Sequence, residues 1–431
     1  METNVTVGTL YYLVGNRQHP KLVYYFKKLM KMKKLLTLLL VTVMSVTSYA
    51  SHLMGGYMQA YQRGFTDTVD LYVTLFTDPQ GISQTTITVS EMELVNGFYQ
   101  NPSNITITNP QTGYYQGMNV SQYHTVLVLT GGEYRFVFTN CCRGPLSNAS
   151  SSMNSSFTIG LDYLKTSTGS VPNSSPILLN FLPSTWVTGS QQQSMIFAID
   201  PDGDSVLVEM DDALNQHGNN TFIPLSPFSQ LSSYGSYSVD PNGLIKWSPT
   251  TQGTFGTGYK ISEYRNGSLI GVNRIQQVYS VVQGSTPSIS APFNMTLNSD
   301  STITINHDLV NGDSLQVGVT ATNFTTAQLF IYGIPVIDMG STSWTLKAIN
   351  QPGTYEGFLR IYNTTSNIDY PVTFVVTSTI GFEELTLLKN YIVYDWYGNL
   401  IYEGESIPYN KLKGFYIVWD GDKYEKIFVN K

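Results

Sequence analysis

The chain has 431 residues, 42% of them hydrophobic, which is enough to bury real cores and long enough for two to four domains. Only 12% are charged, and the formal net charge is −7. Residues 1–50 hold seven of the 23 basic residues and one of the 30 acids. A product beginning at Ser51 therefore carries 16 basic against 29 acidic residues, a charge of −13 that disfavours nucleic acid and anionic membrane as partners. Helix formers are scarce, while Thr, Ser, Asn, Gly and Tyr abound, a composition that favours strands and turns.

The first element is a leader. Lys31, Lys33 and Lys34 precede an apolar run from Leu35 to Val46, and Ser48, Tyr49 and Ala50 make a small-x-small cleavage site. The run is short for a bilayer span, so it reads as a signal peptide and not as an anchor. Residues 1–29 do not belong in front of such a signal, which places the translation start at Met30 or Met32. The mature chain is then exported, and it is soluble or attached to a surface.

Residues 51–172 alternate in strand fashion. Val69, Leu71, Val73 and Leu75 share one face, as do Thr125, Leu127 and Leu129, with turn signals at 78–81, 109–113, Gly131 and Gly132. Such spacing predicts a β-sandwich. The Ser- and Asn-rich stretch 147–156 reads as a mobile loop, and 173–176 as a linker into a second sandwich at 173–284. That module carries Asp200, Pro201, Asp202, Gly203 and Asp204, a second turn at Asp240 to Gly243, and a long hairpin from Tyr259 to Val282. Asn266 and Gly267 supply the positive φ angles that a type I′ turn needs. A third sandwich is expected over 285–379, with six strand-like runs between Ser301 and Val376. Beyond 380, short strands at 391–394, 400–402, 415–419 and 424–429 predict a small terminal β-module.

Several of these runs carry a family resemblance. Ile380, Gly381, Phe382 and Glu383, then Val393 to Tyr402, Leu412 to Val418 and Lys426 to Lys431, resemble the C-terminal sorting domain of proteins exported by the type IX secretion system of gliding and related Gram-negative bacteria. The matching motif positions are Tyr394, Gly398, Gly414, Tyr416 and Lys426; the usual Asn-Pro near that domain's start is absent. Residues 52–283 look like the β-sandwich region of large adhesin and gliding-motility-associated surface proteins. The motifs that carry this are His52 to Gly56, Glu133 to Arg143, Asn173 to Pro176, the Asp200 to Asp204 turn and Glu263 to Gly267. The module at 173–284 is similar to cadherin-like or putative Ig domains, whose acidic turns often hold calcium, and 285–379 is Ig-like. The resemblance implies an all-β chain of tandem Ig-like or cadherin-like β-sandwiches ending in a small β-sandwich sorting domain. It implies the type IX machinery as a partner and the extracellular or outer-membrane surface as the destination. Such proteins have a cysteine where this chain reads Phe76, Thr77, Asp78, Pro79, which leaves Cys141 and Cys142 as the only cysteines. They are open to a vicinal disulfide, to remaining free or to bridging chains; two thiols are too few for a closed zinc site.

Asp200, Asp202 and Asp204 are the candidate metal ligands, with calcium the fitting cation, because three crowded carboxylates repel one another unless a cation relieves them. A solvated turn is the alternative, since Asp, Pro and Gly are turn residues in their own right. Asp211 and Asp212, or Glu263, are candidates to complete the shell. Catalysis finds no motif: the chain has no GxSxG, HExxH, P-loop or dinucleotide fingerprint. His307 beside Asp308 lacks a nucleophile motif, and the histidines read as exposed turn residues. Tyr114, Tyr115, Tyr234 and Tyr237 are read as packing, with stacking on sugars as the rival role. The reading is a non-enzymatic surface protein of adhesive or structural type, its protein or glycan ligand unspecified. A secreted hydrolase or carbohydrate-binding accessory and a phage virion protein with adhesin-like modules are the alternatives.

Overall fold

The computed structural model describes residues 53–377 except 80, 82–83, 116–117, 142, 151, 153–154, 181–184, 219–220, 310–313, 341 and 348–351, together with 391–395, 400–404, 414–419 and 424–429. The leader, Gly398 and Cys142 lie outside these residues. Regular structure is almost entirely strand, as the scarcity of helix formers predicts.

The strands of the first half are β1 (Leu53–Gln62), β2 (Thr68–Thr77), β3 (Thr86–Val95), β4 (Phe98–Thr108), β5 (Gln111–Tyr115), β6 (Met118–Val128), β7 (Gly132–Asn140) and β8 (Phe157–Lys165). There follow β9 (Ile177–Leu178), β10 (Thr185–Val187), β11 (Gln192–Met195), β12 (Ala198–Ile199), β13 (Ser205–Asp211), β14 (Leu214–Gly218) and β15 (Thr221–Pro224). The set closes with β16 (Gly235–Val239), β17 (Leu244–Pro249), β18 (Gly253–Arg265) and β19 (Ser268–Val282). The β18–β19 hairpin turns at Asn266 and Gly267, with φ of +53° and +79°, the conformation their sequence predicts.

Residues 51–172 and 173–284 do not form two separate sandwiches. One sheet runs β4, β3, β7, β8, β19, β1, β2, β6, β5, with β18 beside β19 and β13 beside β18. β18 occupies one edge of β19 along its whole length. The other edge is shared in turn by β8 at Gly271–Arg274, β1 at Gln276 and Gln277, and β10 at Ser280–Val282. The expected boundary at 172 thus runs through hydrogen-bonded structure. The expected linker is joined to β1 as well: Ser175 N donates to Ala60 O (2.8 Å), Gln62 N to Asn173 O (3.2 Å), and Ala60 N to Ser175 Oγ (2.9 Å). The stretch read as a mobile loop is likewise tied down over 147–150, where Asn148 exchanges hydrogen bonds with both backbone groups of Gly256.

The reason is visible in β1. Met58 and Ala60 point into one core with Val69, Leu71, Val73, Phe136 and Phe138. Tyr57 points the opposite way, into a second core built around Trp186, Trp247, Phe255, Tyr259 and Tyr279. With both faces buried, β1 belongs to both cores, which a strand with one solvated face cannot do. Aromatic edge contacts hold the second core, with Trp186–Trp247 centroids at 5.4 Å and Trp247–Phe255 at 5.5 Å.

Residues 288–377 form their own two-sheet unit from β20 (Ser288–Phe293), β21 (Thr296–Leu297), β22 (Ile303–Asp308), β23 (Ser314–Thr322), β24 (Thr326–Ile331), β25 (Val336–Gly340), β26 (Ser343–Lys347), β27 (Gly353–Tyr362) and β28 (Asn367–Thr377). The sheets run β20, β23, β26, β25 and β21, β22, β28, β27, β24, and they enclose Ile305, Leu329, Trp344, Leu359 and Phe374. Beyond them, β29 (Tyr391–Asp395), β30 (Leu400–Gly404), β31 (Gly414–Trp419) and β32 (Tyr424–Val429) make one four-stranded sheet, so the described residues of the terminal module show a single layer.

A buried ion pair joins the third unit to the first half. Asp369 on β28 is fully buried and accepts from Arg360 Nε (2.5 Å) and Nη2 (2.7 Å). Across the joint it also accepts from Ser194 Oγ (3.1 Å) and the backbone N–H of Met195 (2.8 Å). Gln193 Nε2 adds a bond to Asp369 O at 2.8 Å. Phe197 packs edge-on against Phe330 and Phe358 beside this network, so the joint is apolar as well as bonded. Asp369→Ala strands the Arg360 charge in this interior and is expected to cost about 3–5 kcal/mol. In denaturant unfolding of the full chain it should lower the midpoint and split one transition into two, whereas Asp369→Leu with Arg360→Met should recover most of the loss.

Candidate functional site

The acidic turn follows β12 and leads into β13. Asp200 Oδ1 accepts the backbone N–H groups of Asp202 (2.8 Å) and Asp204 (3.1 Å), and Gly203 takes a φ of +84°. The turn at Asp240 is built the same way: its Oδ1 accepts from Asn242 N (3.0 Å) and Leu244 N (2.8 Å), with Gly243 at +87°. That second turn needs one carboxylate only. Local geometry therefore accounts for Asp200 and Gly203 but not for acids at 202 and 204.

One carboxylate oxygen from each of Asp200, Asp202 and Asp204 lies within 4.8 Å of the others. Arg265, the last residue of β18, grips Asp204 through Nε at 3.0 Å to each oxygen and Nη2 at 2.6 Å to Oδ2. The same guanidinium donates to Asn173 Oδ1 at 2.8 Å and stands 3.9 Å from Asp202 Oδ2. Asp202 Oδ2 accepts the backbone N–H of Ser174 at 2.5 Å. Asp200 Oδ2 is buried without a hydrogen-bond partner.

Glu263, two residues before Arg265, is fully buried, and neither of its oxygens has a hydrogen-bond partner. It sits in the middle strand of three, opposite Val206 of β13 and Gly271 of β19. A Cβ at position 271 would come within 2.6 Å of Glu263 Oε2, so the glycine is what leaves room for the carboxylate. Burial pushes the Glu263 carboxyl up to about 9, with repulsion from Asp200, Asp204 and Asp202 adding to the shift and Arg265 opposing it. Burial likewise raises Asp200 to about 7, and Asp202 shifts upward for the same reason. Of the residues named to complete the shell, Glu263 lies within the electrostatic reach of the three aspartates but is not among the acids whose oxygens lie within 4.8 Å of one another. Asp211 and Asp212 stand at the far end of β13, roughly 20 Å along the strand, and Asp212 accepts instead from Gln230.

The other sequence candidates lie elsewhere. Cys141 is disulfide-bonded, so it is not a free thiol. Tyr394 is on β29, Gly414 and Tyr416 on β31, and Lys426 on β32 opposite Ile417. The three described histidines lie in strands and not in turns. His124 Nε2 meets Asp70 Oδ1 at 2.7 Å, His217 packs on Phe222, and His307 is buried over Phe374. Tyr234 packs on Phe255, and Tyr237 bonds the Tyr259 hydroxyl at 2.6 Å, so both serve the core, while Tyr114 is 65% exposed. Sequence reasoning missed the Asp369–Arg360 network; neither residue carries a motif.

The raised carboxyls set a pH dependence for cation-free protein. From about pH 4 the folded chain keeps protons that the unfolded chain, with ordinary carboxylates near 4, has released: on Asp200 up to about pH 7 and on Glu263 up to about pH 9. The unfolded state binds fewer protons there, so stability falls as pH rises. Thermal midpoints in EDTA at pH 5, 7 and 9 should decline in that order, and Glu263→Gln should flatten the series.

No family model matches the chain, and no curated protein matches it. Solved structures similar to it include the N-terminal four Ig domains of Dscam1 isoform 6.44 (11% identity, 86% of this chain and 97% of that one, TM-score 0.18). Extracellular domains 3–5 of Drosophila OTK (10% identity, 72% and 91%, TM-score 0.17) and the titin fragment I67–I69 (12% identity, 73% and 92%, TM-score 0.16) also align. At these TM-scores the alignments carry no argument, and the all-β class, with a two-sheet sandwich over residues 288–377, rests on the strand pairing described above.

Proposed function

We propose that this chain is a non-enzymatic, exported surface protein of structural or adhesive type, in which residues 53–377 form a stiff arm and 380–431 direct its placement. The observation that carries the reading is the joint around Asp369. Packed units in one chain move against each other by default unless the interface between them is large and apolar. Here an aromatic cluster and a five-bonded carboxylate fix the third unit on the first half. A fixed joint suits an arm that presents or bears load, and it leaves no hinge for closing over a substrate. Among the described residues no helix is long and apolar enough to cross a membrane. Attachment in this reading comes from the type IX sorting domain that residues 380–431 resemble.

The test is placement in a gliding bacterium that has type IX secretion. The full chain should be cleaved by protease added to intact cells, and a chain lacking 380–431 should be protected in the periplasm. A full chain that stays protected, or a truncated chain that still reaches the surface, overturns the sorting role.

A further inference from the structure

We infer that His217 is a proton-sensitive pin: neutral, it holds β14 and β15 down on the face of β7, β8 and β19, and protonation in mild acid releases them. The inference does not depend on the surface role above.

The pin sits on a bare patch of sheet. Gly160 of β8 lies between Val137 of β7 and Arg274 of β19. A Cβ at this position would collide with the ring of Phe222, so the glycine lets that ring lie against the backbone. Two guanidiniums flank the ring, with Arg135 Cζ 4.9 Å and Arg274 Cζ 4.6 Å from its centroid. Arg135 also stacks on Tyr99 of β4 at 3.9 Å. Asp162 of β8 ties the two cations together, accepting from Arg135 Nε (2.5 Å) and Nη2 (2.9 Å) and from Arg274 Nη1 (2.7 Å).

His217 pairs with Phe222 in the β14–β15 register, and the two rings are 4.9 Å apart. Its Nε2 stands 3.4 Å from Arg135 Nη1. A guanidinium only donates, so Nε2 is the acceptor and the imidazole is neutral, with its proton on Nδ1. A second proton sets donor against donor and adds a third positive charge beside Arg135 and Arg274. Asp162 already accepts from both guanidiniums. Of the neighbouring charges, Glu133 is exposed two residues along β7, and Lys260 of β18, opposite Arg274, is paired with Glu209 at 2.8 Å. β15 brings no charged side chain. Burial and Arg135 hold His217 below the ordinary histidine value, with Asp162 opposing and Arg274 reinforcing the shift.

Release is local, because the base of the pair is held by groups that do not titrate in mild acid. Leu214 O accepts from Arg143 Nη2 and from Gln276 Nε2 (2.9 Å). Asn215 accepts Ser156 N at Oδ1 and Thr158 Oγ1 at its carbonyl, both at 2.8 Å. Opening therefore frees Phe222 and uncovers two guanidiniums while β8 and β19 keep their pairing. The pinned form binds fewer protons than the released form. Pinning is thus at full strength above about pH 6.5 and weakens as pH falls through the lower value of the pinned histidine. Whole-chain stability runs the other way, since the raised carboxyls of Asp200 and Glu263 favour the fold in acid.

The test is hydrogen exchange of the full chain, read by mass spectrometry at pH 7.5 and pH 5 and corrected for the intrinsic rate. A histidine pinned half a pH unit below its free value opens about threefold more once protonated. Peptides covering β14 and β15 should therefore lose protection by about threefold or more at pH 5, while those of β8 and β19 keep theirs. His217→Gln, which retains an acceptor for Arg135 and takes no proton in this range, should show the same protection at both pH values. Phe222→Ala should lower it at pH 7.5 already. In the carbon-13 histidine spectrum, the signal missing from His217→Gln should titrate below free histidine. Wild-type protection of β14 and β15 that is equal at both pH values overturns the pin, as does a signal titrating at or above free histidine. Loosening that persists in His217→Gln assigns the trigger to another group and overturns the role of His217.

Discussion

β19 is the strand on which the described residues between 53 and 282 converge. A strand has two edges, and both of its edges are taken, one by β18 throughout and the other by β8, β1 and β10 in succession. Because β1 is fixed by this pairing, its alternating side chains are delivered to two cores at once, Tyr57 to one and Met58 with Ala60 to the other. The two cores therefore share a wall, and a change in register of one residue would exchange their contents. The same hairpin carries Glu263 and Arg265 to the acidic turn. Register in the sheet and geometry at the carboxylates are thus set by one set of backbone bonds.

Two buried acids are handled in contrasting ways. Asp369 is surrounded by donors from Arg360, Ser194, Met195 and Asn180, and its desolvation is offset by charge-assisted hydrogen bonds. Glu263 is equally buried and has none. The protein has the means to satisfy an interior carboxylate and does so at the joint between units, which makes the bare carboxylate beside the acidic turn a feature to be accounted for chemically and not as a lapse of packing.

Much of the fold was legible in the residues because turns and alternation are local. Asn266 and Gly267 announced the hairpin, Val69 to Leu75 announced a core face, and the four terminal strands fall within a residue or two of where their patterns place them. Partners were not legible. Alternation says that a strand has an inner face but not which strand it pairs with, so residues 173–176 read as a linker when they are bonded to β1. The site was partly legible: Asp200, Asp202 and Asp204 stand out by spacing. Glu263 gave a quieter signal, an acid in phase with Tyr259 and Ile261, both of which face the core. A charged residue on the buried phase of a strand marks either a pair or a ligand, and only the fold shows which donors are missing. His307, which reads from the sequence as an exposed turn residue, is inside β22 because the strand continues through it to Asp308.

The pairing of β1 with β19 has a consequence for how the chain is made. Gly55 and Gly56 meet Gln277 and Gln276, and Asn273 Nδ2 donates to Met58 O across 215 positions of sequence. Contacts of such separation close large loops before they return any stabilisation, and they slow folding. A chain that emerges progressively, from a ribosome or through a membrane pore, exposes β1 and β8 with open edges until the residues near 282 have followed. During that interval the half-built sheet is a template for any other extended chain. The order in which segments become available, and the company they keep meanwhile, therefore bears on yield as directly as the stability of the finished fold.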